Sequence, residues 1–248
     1  MRIGIVGYGK MGQMIASIAR DRNIDVVIVD PNHDDADHSL LRDAPSDTFN
    51  VAIDFTNPEV IIDNIRFYCD NNINAVIGTT GWYENINEVR ELVERSNIGL
   101  IWASNFSTGV NLFFRIIENA SKLINIFDEY DIAGHEFHHN QKLDSPSGTA
   151  RSIANILINN IDRKSNAVFD IIDRKIGDDE LHFSSTRLGS VPGTHSVFFD
   201  SDADTIELKH VARNRMGFAS GAVHASVWIT GKKGFFGIED MMNELIKD

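Results

Sequence analysis

The sequence predicts an α/β protein, with a Rossmann-type doubly wound parallel sheet followed by a smaller α+β domain. Short apolar runs alternate with helical patterns from residue 3 to residue 103, which is typical of a parallel sheet covered by helices. The first run leads directly into a glycine-rich segment, residues 7–12. After residue 107 the pattern changes to a long helix, a polar turn and several short strands. We therefore expect a dinucleotide-binding domain over residues 1–107, with 216–248 packing back on it, and a second, α+β domain over 108–215.

The composition excludes several classes of function. The chain has 248 residues, 42% of them hydrophobic, and a net charge of −13. This charge disfavours nucleic acid or an anionic membrane as a partner, because their phosphates would repel the protein. No apolar run approaches the ~18 residues that a membrane span needs, and residues 1–7 resemble a strand more than a signal sequence. Cys69 is the single cysteine and forms no internal disulfide, so we expect a cytoplasmic protein.

The glycines of residues 7–12 predict a dinucleotide site. In a G-x-G-x-x-G segment between a strand and a helix, Gly7 permits the tight turn, Gly9 lets the backbone approach a pyrophosphate, and Gly12 allows close packing. Asp30 ends the next strand, where a carboxylate binds ribose hydroxyls. The alternative is a glycine-rich turn that binds nothing. We expect NADH and/or NADPH to bind here, with contacts from the whole segment: Gly7, Tyr8, Gly9, Lys10, Met11 and Gly12.

Two residues give opposing predictions about the nucleotide. The Asp30 carboxylate repels a 2′-phosphate, and Pro31 follows it without an adjacent arginine, which favours NADH. Lys10 lies in the phosphate loop and could offset Asp30 or reach a 2′-phosphate. Use of both NADH and NADPH therefore remains open.

Two later loops also follow strands of the predicted sheet. Ligands of parallel sheets bind beyond the carboxyl ends of the strands, so we expect these loops to line the same crevice. Ordinary turn chemistry would explain them as well. The residues concerned are Gly78, Thr79 and Thr80 in the first loop, and Ala103, Ser104, Asn105 and Phe106 in the second.

A polar connection between the second and third strands, residues 32–48, contains histidines and aspartates. It superficially resembles a set of metal ligands, but no spacing within it matches a known site. We expect a solvated acidic segment and no metal. Cys69 lies among apolar residues at helical spacing and is expected to be a core thiol.

Residues 135–150 carry the densest group of titratable side chains in the sequence. A strand is predicted to end at Glu136, and a helix to begin at residues 147–149. Imidazoles, a lysine ammonium and the free N–H groups of a helix N-terminus are the groups needed to hold an anion and move protons. A purely structural role for His138, His139 and Lys142 is disfavoured, because burying three such groups without use is costly.

Other polar residues of this stretch leave alternatives open. His135 is expected to be structural or to support another side chain. Glu136 either orients an imidazole or ends the strand, and Asp144 either positions Lys142 or braces the loop. We expect no catalytic role for His195 or His210.

Residues 136–150, EFHHNQKLDSPSGTA, closely resemble the E-x-H-H-x-x-K-x-D-[AS]-P-S-G-T-A signature of the 4-hydroxy-tetrahydrodipicolinate reductase family, also called dihydrodipicolinate reductases. The resemblance extends to residues 7–12, 78–80, 103–106, 187–195 and 210–221, so it spans nearly the whole chain. It departs at Pro31, where many members have an arginine that can meet a 2′-phosphate.

The resemblance implies an activity and a role for each matching residue. The activity is reduction of 4-hydroxy-tetrahydrodipicolinate with NAD(P)H in lysine and diaminopimelate biosynthesis, by a homotetramer acting on a small cyclic dicarboxylate. The resemblance also implies that residues 108–215 form the substrate-binding and oligomerisation domain. It implies that His138 is the proton donor or acceptor and Lys142 a second proton donor, while His139, Gly148 and Thr149 contact substrate. The alternatives are an inactive dinucleotide-binding regulator, or another NAD(P)-dependent amino-acid or semialdehyde dehydrogenase.

Overall fold

The protein forms two compact units in a computed structural model that describes residues 1–45 and 47–247. The first unit combines residues 1–108 with the C-terminal segment that begins at Met216, and the second is Gly109–Arg215. Among the described residues, no helix is both long and apolar enough to cross a membrane.

Strands and helices alternate through the N-terminal part of the first unit. The strands are almost wholly apolar, as expected where helices cover both faces of a parallel sheet. In chain order the elements are β1 (Arg2–Val6), α1 (Lys10–Asp21), β2 (Asp25–Val29), β3 (Val51–Asp54), α2 (Ile61–Asp70), β4 (Asn74–Ile77), α3 (Ile86–Arg95) and β5 (Gly99–Trp102).

Helix α2 begins later than the sequence suggests. Proline is favoured in the first turn of a helix, so Asn57-Pro58-Glu59 predicts a helix start, but the helix starts at Ile61. The side chain of Asn57 accepts a hydrogen bond from the Glu59 N–H at 3.0 Å. Such a local side-chain bond offers the backbone an alternative to the helix and closes a turn instead.

The second unit is built on a mixed five-stranded sheet. Its elements are α4 (Thr108–Ile124), β6 (Asp131–His138), α5 (Gly148–Asn160), β7 (Asn166–Val168), β8 (Glu180–Arg187), β9 (Thr194–Asp200) and β10 (Thr205–Val211). The strand order is β10-β9-β6-β8-β7. Strand β6 runs parallel to β8 and antiparallel to β9, so the central strand has a neighbour of each kind.

Strand β6 alternates between buried and partly exposed residues. Ile132, Gly134, Glu136 and His138 are buried, and the residues between them are less so. Because side chains two residues apart share a face, Glu136 and His138 point the same way. The strand runs two residues past the predicted end at Glu136, which places His138 on the strand and not in the loop.

The C-terminal segment completes the first unit with α6 (Met216–Trp228), β11 (Gly234–Gly237) and α7 (Ile238–Lys247). The sheet order is β11-β5-β4-β3-β1-β2, with every pairing parallel. The expected doubly wound parallel sheet is therefore confirmed. Strand β11 was not predicted, because two phenylalanines between glycines are too short a run to be distinguished from a loop.

Candidate active site

The turn between β1 and α1, residues 7–12, leaves open space beside a helix N-terminus and is called the phosphate cradle below. Gly7 has a φ of +88°, and a Cβ on Gly12 would lie 2.1 Å from the Gly7 carbonyl oxygen, so neither position accepts a side chain. Gly9 precedes α1, and a Cβ there would meet nothing within 4 Å. The open space above Gly9 faces the N-terminus of α1, where backbone N–H groups and the helix dipole attract an anion.

Asp30 lies beside this cradle at the carboxyl end of β2. Its carboxylate accepts hydrogen bonds from the Tyr8 N–H at 2.6 Å and the Asn32 N–H at 2.8 Å. A carboxylate has about four acceptor positions, so some remain for ribose hydroxyls. Gly7, Gly9 and Asp30 line a cavity of about 310 Å³. These residues therefore fit the dinucleotide that the sequence predicts.

The predicted nucleotide-binding loops after β4 and β5 turn several side chains inward. Thr79 is buried, and its hydroxyl lies 3.0 Å from a carboxylate oxygen of Asp54. Ala103 and Phe106 are also buried, whereas Thr80 and Ser104 are exposed. Backbone groups and the two exposed hydroxyls are therefore the main parts of these loops that a ligand could contact.

Asp54 is a buried carboxylate that the sequence analysis missed. It accepts hydrogen bonds from the Thr56 hydroxyl at 2.6 Å and the Tyr68 hydroxyl at 2.8 Å, as well as from Asn64 and Thr79. Burial raises the pKa of Asp54, and the hydrogen bonds from Thr56, Tyr68 and Asn64 oppose that effect. The carboxylate braces the chain after β3 and β4. In the sequence, Asp54 is visible only as a single charged residue at the end of an apolar run.

In the second unit, the polar side chains converge on Glu136, which is fully buried. The backbone N–H of Ser147 donates to Oε1 at 2.9 Å, and the Ser185 hydroxyl donates to the same oxygen at 2.8 Å. The Ser147 hydroxyl donates to Oε2. Arg187 adds a guanidinium nitrogen 3.8 Å from Oε1. The carboxylate is thus held by α5 and β8 together.

Two histidines flank the other oxygen of this carboxylate. Oε2 of Glu136 lies 3.3 Å from Nδ1 of His138 and 3.3 Å from Nε2 of His195. Both imidazoles are buried, with ring centroids 5.2 Å apart. Burial alone would raise the pKa of Glu136, but the adjacent imidazoles of His138 and His195 and the hydrogen bonds from Ser147 hold that pKa well below its usual range. Glu136 is therefore an anion between two imidazoles.

The same three residues also have the composition of a metal site. Glu136, His138 and His195 each offer one ligand atom, and these atoms lie within 4.8 Å of one another. Sequence analysis gave no metal site, because His195 is remote from the other two residues in the chain. The serine hydrogen bonds and the imidazoles account for this buried carboxylate without an ion.

The N-terminus of α5 opens next to this group. Ser147 is the N-cap residue, and its hydroxyl accepts a hydrogen bond from the Ala150 N–H at 3.1 Å. Gly148 is exposed, with nothing within 4 Å of a Cβ built on it, and Thr149 is partly buried. Open space at a capped helix N-terminus suits a carboxylate ligand.

Lys142 and His139 lie in the loop between β6 and α5. The Lys142 ammonium donates to Asp144 at 2.7 Å, and this bond lowers the pKa of the Asp144 carboxyl. Asp144 is in turn held through its backbone oxygen by Arg187 at 2.6 Å. His139 is partly buried. The structure therefore brings His138, His139, Lys142, Gly148 and Thr149 to one end of the second unit.

The remaining histidines of interest lie apart from Glu136. Nδ1 of His135 is 2.6 Å from the Ser184 hydroxyl, and burial lowers the pKa of His135. His210 packs against the ring of Phe113 at 5.7 Å, and burial lowers its pKa too. The structure places His195, unlike these two, against the central carboxylate.

Comparison with family models gives a match along both units. The model described as "Dihydrodipicolinate reductase, N-terminus" matches residues 1–106, and the model described as "Dihydrodipicolinate reductase, C-terminus" matches residues 109–242. A 4-hydroxy-tetrahydrodipicolinate reductase of Christiangramia forsetii is 38% identical over 248 residues, which is 100% of each chain.

Solved structures give the same result. A dipicolinate-bound dihydrodipicolinate reductase from Paenisporosarcina sp. TG-14 has a TM-score of 0.78 at 25% identity, covering 97% of this chain and 98% of that one. A myo-inositol dehydrogenase from Corynebacterium glutamicum shares the fold alone, with a TM-score of 0.59 at 12% identity, covering 95% and 90%. Together with the full-length relative, the two family models show that the chain belongs to the dihydrodipicolinate reductase family.

Proposed function

We propose that this chain reduces 4-hydroxy-tetrahydrodipicolinate to tetrahydrodipicolinate with NADH or NADPH, as a step of lysine and diaminopimelate biosynthesis. The observation that carries the proposal is the full-length match to a reductase of that name, 38% identical with no part of either chain left out. The phosphate cradle of the first unit and the histidine–lysine cluster of the second supply the groups that this reaction needs.

We assign nucleotide binding to the first unit. The N-terminus of α1 at residues 7–12 receives the pyrophosphate, and Asp30 receives the adenosine ribose. The loops at residues 78–80 and 103–106 contact the remainder of the nucleotide. When bound, the nicotinamide supplies the hydride, and the protein supplies orientation and protons.

Substrate binding is assigned to the second unit. A cyclic dicarboxylate needs two sites that bind a negative charge. The N–H groups of Gly148 and Thr149 at the start of α5 provide one, and Lys142 with His139 provides the other. The dipicolinate bound to the Paenisporosarcina reductase is a rigid cyclic dicarboxylate, which supports this class of ligand.

Proton transfer is assigned to His138, with Lys142 as a second donor. The 4-hydroxyl leaves as water after it receives a proton, and the ring gives up a proton from the neighbouring carbon. The ring then gains a hydride at one carbon and a proton at another, so one hydride and one proton are consumed in total. A histidine titrates near neutral pH, which suits it to giving such a proton and regaining it from solvent.

We further propose a cytoplasmic homotetramer assembled through the second unit, with no nucleic-acid or membrane partner. Helix α4 supports the assembly, because Leu112, Ile116 and Leu123 are 45%, 52% and 65% exposed. An exposed apolar face of this kind commonly marks a protein–protein interface. The net charge of −13 supports the absence of a polyanionic partner.

A coupled assay tests the proposed function. Purified protein is mixed with the freshly formed product of dihydrodipicolinate synthase, and oxidation of NADH and of NADPH is followed by absorbance. We expect steady turnover and competitive inhibition by dipicolinate. Tight NADH binding without turnover would instead indicate a dinucleotide-binding regulator. Turnover of another amino acid or semialdehyde, with no inhibition at millimolar dipicolinate, would indicate a different dehydrogenase.

A further inference from the structure

Glu136 faces the proposed proton donor but has no role in the function proposed above. Its Oε2 lies 3.3 Å from Nδ1 of His138, and its Oε1 accepts from Ser147 and Ser185. His195 approaches Oε2 from β9 at 3.3 Å. A carboxylate fixed from three neighbouring elements cannot turn away from the imidazole beside it.

We propose that Glu136 is a positioning residue for His138. Its carboxylate keeps a proton on Nδ1 of the imidazole, and Nε2 is then the nitrogen that exchanges a proton with substrate. His195, on the other side of the same oxygen, holds the carboxylate in place. This inference rests on the proposed function, because His138 is the proton donor only in that reaction.

The two nitrogens of His138 have different surroundings. In the described part of the chain, Nδ1 is buried and has no well-aligned hydrogen bond, although Oε2 of Glu136 is 3.3 Å away. Catalytic hydrogen bonds are often long or poorly aligned without substrate and tighten in its complex. Nε2 points toward Gly193, where a Cβ would lie 3.1 Å from it. The missing side chain at Gly193 keeps Nε2 accessible.

The partner of one ring nitrogen decides which nitrogen of a neutral imidazole carries the proton. An anionic acceptor at Nδ1 selects the Nδ1–H form. The charged and titratable groups facing Glu136 are His138 from β6, His195 from β9 and Arg187 from β8, while α5 contributes the polar Ser147.

A purely structural role for Glu136 makes different predictions. The carboxylate also anchors the start of α5 through Ser147. If that were its only role, replacing it would lower the melting temperature and weaken substrate binding. It would leave the proton position on His138 and kcat at saturating substrate unchanged. The tests below therefore measure those two properties.

The first test observes the imidazole of the unaltered protein. Nitrogen-15 NMR of histidine-labelled protein with dipicolinate bound reports which ring nitrogen of a neutral imidazole is protonated. The His138→Gln variant assigns the signal. We expect the proton on Nδ1, and a proton on Nε2 would overturn the proposal. This result does not depend on turnover, so it stands even if the proposed function fails.

The second test is the Glu136→Gln variant, which retains the shape but removes the charge. We expect kcat to fall about 10²-fold, as for loss of a general acid, with NADH affinity unchanged. Glu136→Asp, which restores the charge at a greater distance, should recover part of the lost kcat.

Glu207→Gln is the matched control. Glu207 lies on β10, and its carboxylate accepts a hydrogen bond from the hydroxyl of Ser196 at 2.9 Å. We expect its kcat to equal that of the unaltered protein. An unchanged kcat in Glu136→Gln would refute the positioning role. If unaltered protein does not turn over, the proposed function fails. If Glu136→Gln does not fold, the NMR result alone decides whether Glu136 positions His138.

Discussion

Asp30 and Lys10 set opposite charges beside the phosphate cradle. Asp30 is partly buried and already accepts two backbone N–H groups, whereas the Lys10 side chain is exposed. The carboxylate is therefore fixed, while the ammonium is free to move toward a ligand. We infer that Asp30 contributes a constant repulsion to a 2′-phosphate and that Lys10 offsets part of it.

The Asp30→Ala variant tests this balance. We expect kcat/KM for NADH to fall about tenfold, because two ribose hydroxyls lose their hydrogen-bond acceptor. The value of kcat/KM for NADPH should fall less or rise. Steady-state kinetics with both cofactors measure the ratio. Asp25→Ala, at the exposed start of the same strand, should change neither value. An equal loss for both cofactors would assign discrimination to Lys10 or to another residue.

His138 acts on the proton, and its loss should appear in turnover. We predict that His138→Ala lowers kcat by about 10²-fold or more, while the NADH dissociation constant stays unchanged. Stopped-flow turnover and fluorescence titration measure the two quantities. His224→Ala, at an exposed position on α6, serves as the control. Normal turnover in His138→Ala would exclude His138 as the proton donor.

Lys142 is predicted to act on both binding and turnover. Its ammonium is proposed to bind one carboxylate of the substrate and to act as a second proton donor. Lys142→Ala should therefore raise KM and lower kcat together. The initial-rate dependence on substrate measures both. Lys122→Ala removes an ammonium paired with Glu118 on α4 and is the control. An unchanged KM would contradict the binding role.

At the scale of elements, the register of the second sheet assembles the polar group. Glu136 on β6 is paired with Ser185 on β8 and with His195 on β9. A slip of one residue in either strand would turn every side chain of that strand to the other face. The core residues of the same strands, among them Phe183 and Phe199, oppose such a slip because they would then be exposed.

Helix α5 contributes its N-terminus, which gives a prediction at Gly148. A Cβ there meets no protein atom within 4 Å, so Gly148→Ala should fold normally. The added methyl would occupy space that we assign to a substrate carboxylate. We expect KM to rise about tenfold with an unchanged melting temperature. Ser152→Ala, an exposed change one turn along, is the control. An unaltered dipicolinate affinity in Gly148→Ala would place the carboxylate elsewhere.

At the scale of the whole molecule, the two units respond differently to acid. In the second unit the pKa of Glu136 is held far below its ordinary value of 4.5, and that of Glu180 is lowered to about 2 by Arg174 and the Gly177 N–H. The stability these carboxylates contribute is complete above the ordinary value and is lost as the pH falls below it. In the first unit burial raises the pKa of Asp54 above 3.8, so protonation there stabilises the fold.

We therefore predict that acid unfolds the second unit first, between about pH 4.5 and about pH 2. All three tryptophans, Trp82, Trp102 and Trp228, belong to the first unit. Far-UV circular dichroism should lose signal before tryptophan fluorescence changes. In Glu180→Gln, which lacks one of the two acid-sensitive groups, the interval between the two transitions should narrow. Coincident transitions in the unaltered protein would contradict this assignment.

The fold class, the phosphate cradle and the cluster from His138 to Thr149 can all be predicted from the chain alone. Each is a local pattern: alternating apolar runs, glycines at fixed spacing, and titratable residues within one loop. The central place of Glu136 in the second site and the bracing role of Asp54 in the first become visible in the folded protein. Ser185 is 49 residues from Glu136 in sequence, and Thr79 is 25 residues from Asp54. Hydrogen bonds over such separations depend on strand register and burial, which side-chain packing across the whole sheet sets.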